Sequence, residues 1–174
     1  NIKLFSGRGA GFLNRKLVNG TIYYKYTIIK GKDPLEYEKI GFEYGENISS
    51  GDILQKTIKH NVPDAFQRIF ACFDAKTAPN LILTSTEDPQ YRFWSTHSTH
   101  FNELSNVQTH GGLFRCESVV PLTFVVPGFK KGYEIPFGRN IDILPTLLEN
   151  LNRPYDPKKI DGKPFMDALD NIEA

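Results

Sequence analysis

The sequence predicts an α/β protein with a mainly parallel sheet, preceded by an N-terminal β-hairpin and helices. Two short apolar runs bounded by turn residues, Asn80–Ser85 and Val119–Val126, are typical of buried central strands. Apolar residues at helical spacing lie before the first run and after the second. Buried strands that alternate with helices indicate the layered arrangement of α/β proteins.

The N-terminal stretch is predicted to be a β-hairpin. Ala10–Val18 and Thr21–Lys30 are strand-like, and Asn19-Gly20 between them suits a type I′ turn because both residues tolerate positive φ. The glycine-rich run at 7–11 lacks the Lys-Ser/Thr pair of a phosphate-binding loop and leads into a strand instead of following one. We therefore interpret it as flexible chain before the hairpin.

Two helices are expected after the hairpin, beyond a mixed segment at 31–51. The first covers Asp52–His60, with Ser50 as its N-cap. Pro63 opens the second helix, where its missing N–H is tolerated. The buried face of this second helix is predicted from its helical spacing to contain Val62, Phe66, Ile69, Phe70 and Phe73.

The pattern changes near Pro79, so the sequence predicts one part at 1–78 and another at 79–174. In the second part, a helix is expected to start at Asp142, and a last short helix covers Phe165 to Ile172. The buried face of the helix at Asp142 is predicted to contain Ile141, Leu144, Leu148 and Leu151.

Composition limits the classes of function. The 21 basic and 20 acidic residues leave a net charge of +1 without a run of like charges, so binding to nucleic acid or anionic lipid is not indicated. No apolar stretch approaches the roughly 18–20 residues that span a bilayer. Cys72 and Cys116 are too few for a disulfide framework, and we interpret them as reduced thiols. The compartment is not identified, with a cytoplasmic location slightly favoured.

Three of the four histidines lie in the long polar segment between the two apolar runs: His97, His100 and His110. Three imidazoles could form a zinc site, although their spacing is weaker than that of known zinc signatures, and exposed loop residues are the alternative for His97 and His100. His110 precedes Gly111-Gly112 and then a buried run, which places it at the rim of a sheet as a metal ligand or catalytic residue. No catalytic nucleophile is identified in the chain.

The segments around His110 resemble a known enzyme family. His110-Gly111-Gly112, Glu117–Leu122 and Pro127-Gly128-Phe129 occur in this order. Together they resemble the stretch after the last metal-binding histidine in nucleotide pyrophosphatases and type I phosphodiesterases of the alkaline-phosphatase superfamily. The sulfatases share much of this pattern.

The resemblance extends beyond this stretch on both sides. Asn140–Leu148 with Asp161-Gly162 resembles the helix and closing loop near the C-terminus of these enzymes, so order and spacing agree over residues 105–170. Tyr24–Leu35 and Pro63-Asp64-Ala65 resemble an insertion carried by some of the phosphodiesterases. The resemblance therefore implies a cap-like insertion at 1–78 and the C-terminal part of an alkaline-phosphatase-like core at 79–174.

The resemblance also implies two divalent metals, usually zinc, that activate a Thr or Ser nucleophile. Of the metal ligands only the final histidine matches, as His110, and the Asp-His pair of the family is absent because no Asp precedes a His in this chain. We expect a small phosphoester as the substrate. The nucleophile and the other ligands are expected in an N-terminal part of the same protein, which leaves this chain inactive by itself.

Two other hypotheses remain open. One is a non-catalytic binding module derived from the same fold. The other is a small independent zinc protein that uses His97, His100 and His110. The latter predicts that this chain alone binds zinc and that substitution of His97 abolishes the binding.

Overall fold

The computed structural model describes residues 1–84 and 112–170 of the 174-residue chain, and it is an α/β protein. The chain forms two compact units, Asn1–Val119 and Val120–Ala174, whereas the sequence predicts a division after residue 78. Residues 112–119 belong to the first unit because hydrogen bonds from Arg68 and Arg115 attach them to it.

A four-stranded antiparallel sheet is the centre of the first unit, in the order β1-β2-β3-β4. The strands are β1 (Ile2–Ser6), β2 (Gly9–Val18), β3 (Thr21–Gly31) and β4 (Asn47–Ser49). The predicted hairpin is present as β2 and β3. Asn19 and Gly20 have φ values of 49° and 77°, as a type I′ turn requires.

The glycine-rich run forms a second hairpin, so its interpretation as flexible chain is wrong. β1 pairs antiparallel with β2 from Ile2 opposite Leu13 to Ser6 opposite Gly9. A side chain at Gly9 would place its Cβ 2.2 Å from the carbonyl oxygen of Lys32. Glycine is required here because two backbones approach each other closely.

Two helices follow the sheet, as the sequence predicts. They are α1 (Ser50–Thr57) and α2 (Ala65–Asp74). The N-cap of α1 is one residue earlier than predicted, because the hydroxyl of Ser49 accepts the backbone N–H of Asp52 at 3.1 Å.

The core lies between the inner face of the sheet and the two helices, and it is mostly aromatic. Phe66 of α2 is its centre, with its ring centroid 5.2 Å from that of Tyr26 and 5.5 Å from that of Tyr37. Tyr24 stacks on Phe70 at 5.7 Å. The predicted face of α2 is therefore confirmed as a core surface, with Phe66, Ile69 and Phe70 buried and Phe73 partly buried against them. Val62 is buried too, but it precedes the helix.

The described residues contain no parallel sheet, so the two apolar runs do not form the predicted strands here. Leu81 and Leu83 are 70% and 68% exposed, and Val120 and Val125 are 76% and 88% exposed. Residues 80–84 and 119–126 have no strand partner among the described residues. A central strand needs hydrogen-bonded neighbours and covered faces, and the described part of this chain supplies neither.

The second unit contains α4 (Ile143–Asn150) and two short 3₁₀ turns, Asn140–Asp142 and Met166–Ala168. A short four-residue helix, α3 (Arg115–Ser118), precedes it in the first unit. The predicted buried face of α4 is only partly covered: Ile141 and Leu148 are half-buried, but Leu144 and Leu151 are exposed, and Pro145 and Thr146 are buried instead. The predicted helix at 165–172 is present only as the second 3₁₀ turn, and 171–172 lie outside the described residues.

Both cysteines, Cys72 and Cys116, are free and exposed. Over residues 1–84 and 112–170, no helix combines the length and the apolar character that crossing a membrane requires.

Candidate functional site

The three histidines predicted as site residues, His97, His100 and His110, lie outside the described residues. The described chain resumes at Gly112, two positions after His110. The site can therefore be examined through the contacts of Gly112 and the residues that follow it.

Arg68 of α2 holds the backbone just after His110. Its Nη1 donates to the carbonyl oxygen of Leu113 at 2.8 Å, and its Nη2 donates to the carbonyl oxygen of Gly112. Nη1 also donates to the Pro63 carbonyl at 3.3 Å. Burial lowers the pKa of the Arg68 guanidinium from its ordinary value. Because the partly buried guanidinium of Arg68 binds several backbone carbonyls, it fixes the path of the chain at residues 112–113.

Arg115 provides a second attachment of the same segment. Its backbone N–H donates to the carbonyl oxygen of Asn61 at 2.6 Å, and its guanidinium donates to the carbonyl oxygen of Ile58. Leu113 and Phe114 pack against the aromatic core. The chain after His110 is thus fastened to the connection between α1 and α2, which the sequence did not predict.

An open cavity of about 430 Å³ lies beside this attachment, lined by Asn61, Arg115, Cys116 and Val119. It offers an amide, a guanidinium and a thiol. Among these lining residues there is no carboxylate or imidazole that could act as a base towards the thiol, so the cavity by itself is not a nucleophilic site.

The fourth histidine, His60, has a structural role. It is buried, its Nδ1 accepts the backbone N–H of Val62 at 3.1 Å, and its ring lies edge-on to Tyr37 with the centroids 5.1 Å apart. One ring nitrogen is therefore occupied by the loop before α2, which agrees with its separation from the other histidines in the sequence.

Asp33 is a buried carboxylate that accepts four hydrogen bonds. It accepts bonds from the hydroxyls of Tyr26 and Tyr44 and from the backbone N–H groups of Leu35 and Tyr37, at 2.6–2.8 Å. Burial, and then the bond to Asp33, raises the pKa of Tyr26 above its ordinary value, so its phenol remains a donor.

Each oxygen of Asp33 accepts two of these bonds, which leaves little capacity for a ligand. We therefore assign Asp33 to the stability of the fold. Sequence reasoning missed it because the only local signal is an Asp that turns back to the N–H two residues on. Tyr26 and Tyr44 lie seven and eleven residues away, in a strand and in a loop, and no local pattern links them to Asp33.

In the second unit, the two stretches that resemble the family's C-terminal helix and closing loop lie against each other. The carboxylate of Asp142 accepts the backbone N–H of Arg139 at 2.8 Å and that of Lys163 at 2.9 Å. A Cβ on Gly162 would lie 2.0 Å from the carbonyl oxygen of Ile141. Glycine at 162 is therefore needed for the closing loop to approach the start of the helix.

The described residues do not by themselves fit a metal site. Within 1–84 and 112–170, no group of three or more His, Cys, Asp and Glu side chains is placed to hold a metal ion. A zinc site needs at least three protein ligands. The described ranges therefore do not contain the two-metal centre that the resemblance implies.

Comparison with known proteins adds no assignment. No protein-family model, no curated protein and no solved structure matches this chain. The resemblance around His110 therefore stays a prediction.

Proposed function

We propose that this chain forms the C-terminal part of a metal-dependent phosphoric ester hydrolase, similar to the phosphodiesterases and nucleotide pyrophosphatases. The main observation behind this proposal is the exposure of two apolar runs, 80–84 and 119–126, on either side of the segment that contains His110. Both runs have the sequence of buried strands without the neighbours that such strands need.

Exposure of these runs is costly. Burial of a Val or Leu side chain stabilises a fold by about 1.5–3 kcal/mol, and Leu81, Leu83, Val120 and Val125 all remain in contact with solvent. Contiguous exposed apolar surface marks a site of association. In our proposal the two runs are strands of a mainly parallel, alkaline-phosphatase-like sheet whose other strands are supplied by residues outside these 174.

The exposed leucines of α4 also support packing of this part of the chain on a larger sheet. Leu144 and Leu151 are exposed, while hydrogen bonds from the backbone of Arg139 and Lys163 to Asp142 brace the start of this helix. A helix with a fixed N-terminus and exposed leucines on one side can pack against a sheet through them. The 1–78 region would then be a cap-like insertion beside the core.

His110 is the residue that we propose as a metal ligand. In the proposed sheet, it lies in the connection between the two strands, where sites of α/β proteins are built. Arg68 would fix the chain immediately after it through the carbonyls of Gly112 and Leu113. The other ligands and the nucleophile would come from the rest of the protein, so the 174 residues alone are expected to be inactive.

The test uses the natural protein that carries this chain, with and without added zinc, and bis(4-nitrophenyl) phosphate as the substrate. We expect hydrolysis and bound zinc in the wild type. His110→Ala should reduce turnover by more than the roughly 10–100-fold loss that removal of an outer-shell partner causes. His97→Ala is the matched control and should retain turnover. Wild-type turnover in folded His110→Ala would contradict the ligand assignment.

The non-catalytic binding module is the second candidate, because the described residues contain no cluster suited to metal binding. The intact mass of the protein from its source cell separates the two. A mass well above the 19.8 kDa of this chain would support the hydrolase. A mass equal to 19.8 kDa would favour the binding module.

A further inference from the structure

The sheet of the first unit has an outer face, turned away from the aromatic core. Leu13 and Tyr26 are cross-strand partners on the inner face, and both are fully buried. Side chains alternate along a strand, so the residues next to them lie on the opposite side. We call this surface the outer face; its residues used below are Lys3, Phe12, Asn14, Lys16, Tyr23 and Lys25.

The charge of the outer face has one sign. No Asp or Glu occurs in β1, β2, β3 or β4. Lys3, Lys16 and Lys25 are exposed, and none of them forms an ion pair within the part of the chain that the structure describes. By contrast, Arg8 and Arg15 are paired with carboxylates. Although the whole chain is nearly neutral, folding leaves positive charge on this face uncompensated.

Two exposed carboxylates flank β4 in the sequence, Glu46 directly before it and Asp52 beyond it. Neither forms an ion pair with Lys3, Lys16 or Lys25 within the described residues. Oδ2 of Asp52 accepts a hydrogen bond from the hydroxyl of Ser49 at 2.6 Å, and the backbone N–H of Asp52 donates to the same hydroxyl oxygen at 3.1 Å. This carboxylate is engaged with the start of α1 and does not pair with the lysines.

Aromatic rings alternate with the lysines across the strands. Lys3 of β1 lies directly opposite Phe12 of β2, and Lys16 of β2 lies directly opposite Tyr23 of β3. Neighbouring strands are about 4.8 Å apart, so each ring has an ammonium group within reach of its edge. Neither ring belongs to the core cluster, and both are only partly covered.

We propose that the outer face binds single-stranded nucleic acid. The exposed faces of unpaired bases can stack on the rings of Phe12 and Tyr23, while the phosphates contact the three lysines. The amide of Asn14, which already donates to Asn1 at 2.6 Å, lies between them and keeps an oxygen that can accept a bond from a base.

Other polyanions fit this face less well. A duplex hides its base faces, so the two rings would have nothing to stack on. An acidic polypeptide would complement the lysines, yet it makes no use of ring faces that alternate with them. The proposal depends only on the sheet, and it is independent of the phosphoester hydrolase proposed above.

The first test measures fluorescence anisotropy of a labelled oligothymidylate as the 174-residue chain is added, over a range of salt concentrations. Each phosphate contact to a single strand contributes about −0.7 to the slope of log K against log salt, so three lysines predict a slope of about −2. Lys16→Gln with Lys25→Gln should reduce the slope to about −0.7. The matched control, Lys56→Gln with Lys59→Gln, removes the same charge from exposed positions on the helix side and should leave the slope unchanged.

The second test examines stacking. Tyr23→Ala should weaken binding roughly tenfold, whereas Tyr23→Phe keeps the ring and should retain affinity. Circular dichroism confirms that each variant is folded. Equal affinity of Tyr23→Ala and wild type would show that no base stacks on the ring.

Three outcomes would overturn the proposal. One is the absence of binding at about 100 µM protein, the weak end of non-specific affinities. Another is equal loss of affinity in the outer-face and control lysine variants. The third is displacement of the oligonucleotide by polyglutamate or duplex DNA as effectively as by unlabelled oligothymidylate.

Discussion

Replacement of Asp33 by Asn is expected to destabilise the first unit strongly. Asp33 is 3% exposed, and its carboxylate joins the sheet to the segment after it. Oδ1 accepts the hydroxyl of Tyr26 at 2.6 Å and the N–H of Leu35 at 2.8 Å. Oδ2 accepts the N–H of Tyr37 and the hydroxyl of Tyr44, both at 2.8 Å. The side chain of Asn has the same shape but only one acceptor oxygen.

The magnitude follows from the donors that lose an acceptor. The new amide NH₂ faces the Tyr37 N–H, which cannot accept a bond, and an unsatisfied buried N–H costs about 1–3 kcal/mol. The hydroxyl of Tyr44 can rotate to accept, but the bonds that remain are no longer to a charged group, and neutral bonds are about half as strong. We expect a total loss of about 3–4 kcal/mol, a large part of the roughly 5–15 kcal/mol that stabilises a typical domain.

The assay is equilibrium unfolding in urea, followed by far-ultraviolet circular dichroism of wild type and Asp33→Asn. The transition midpoint should fall while the denaturant dependence m stays constant, because the same surface is exposed on unfolding. Tyr44→Phe is the matched control. It removes one donor and keeps the carboxylate, so its loss should be about 1 kcal/mol.

A loss below about 1 kcal/mol for Asp33→Asn would refute the reasoning, since even one unsatisfied buried N–H costs that much. A loss in Tyr44→Phe equal to that in Asp33→Asn would also refute it. The stability would then depend on the Tyr44 contact alone and not on the four bonds together.

Two further predictions concern Arg68 and Arg15. Arg68→Met keeps the apolar stem of the side chain but removes the donors to the carbonyls of Gly112 and Leu113. Amide hydrogen exchange at 113–118 should therefore accelerate, while the exchange of the β2 and β3 amides stays unchanged. Equal acceleration in the strands would indicate general unfolding instead. The hydrogen bond from Arg15 lowers the pKa of Asp74 in the folded protein. The pair therefore stabilises the fold at pH values above the ordinary carboxyl pKa of 3.8, and this stabilisation is lost as the pH falls through the lowered pKa of the folded state. Because both groups are partly exposed, Asp74→Asn should lower the free energy of unfolding by at most about 1 kcal/mol at pH 7 and should leave it unchanged in strong acid. Urea unfolding at both pH values measures this difference. A loss of stability that persists in acid would exclude this ion pair as its cause.

Local patterns in the sequence predicted the elements that local physics controls. Asn19-Gly20 identified the central hairpin because only a few residues adopt positive φ at both turn positions. The spacing of Phe66, Ile69 and Phe70 identified the buried face of α2, because helical periodicity places these residues on one side. In both cases the identity and spacing of a few neighbouring residues are enough to predict the local structure.

The candidate site was less accessible to the same reasoning. Residue type and surroundings singled out His110, but the attachment of the chain just after it by Arg68 depends on a residue more than forty positions earlier. Asp33 likewise gained its importance from Tyr44 and Tyr26, which folding brings to it.

The sequence by itself therefore determined the turn, the buried face of α2 and the set of apolar runs, because φ preferences and side-chain periodicity act over a few residues. Only the tertiary structure decided which runs are covered, which carboxylate is buried and which face of the sheet collects the lysines. Strand register and the packing of distant segments settle these features. The exposed runs at 80–84 and 119–126 show the difference, since an apolar sequence makes a strand only when neighbouring strands satisfy its backbone and cover its faces.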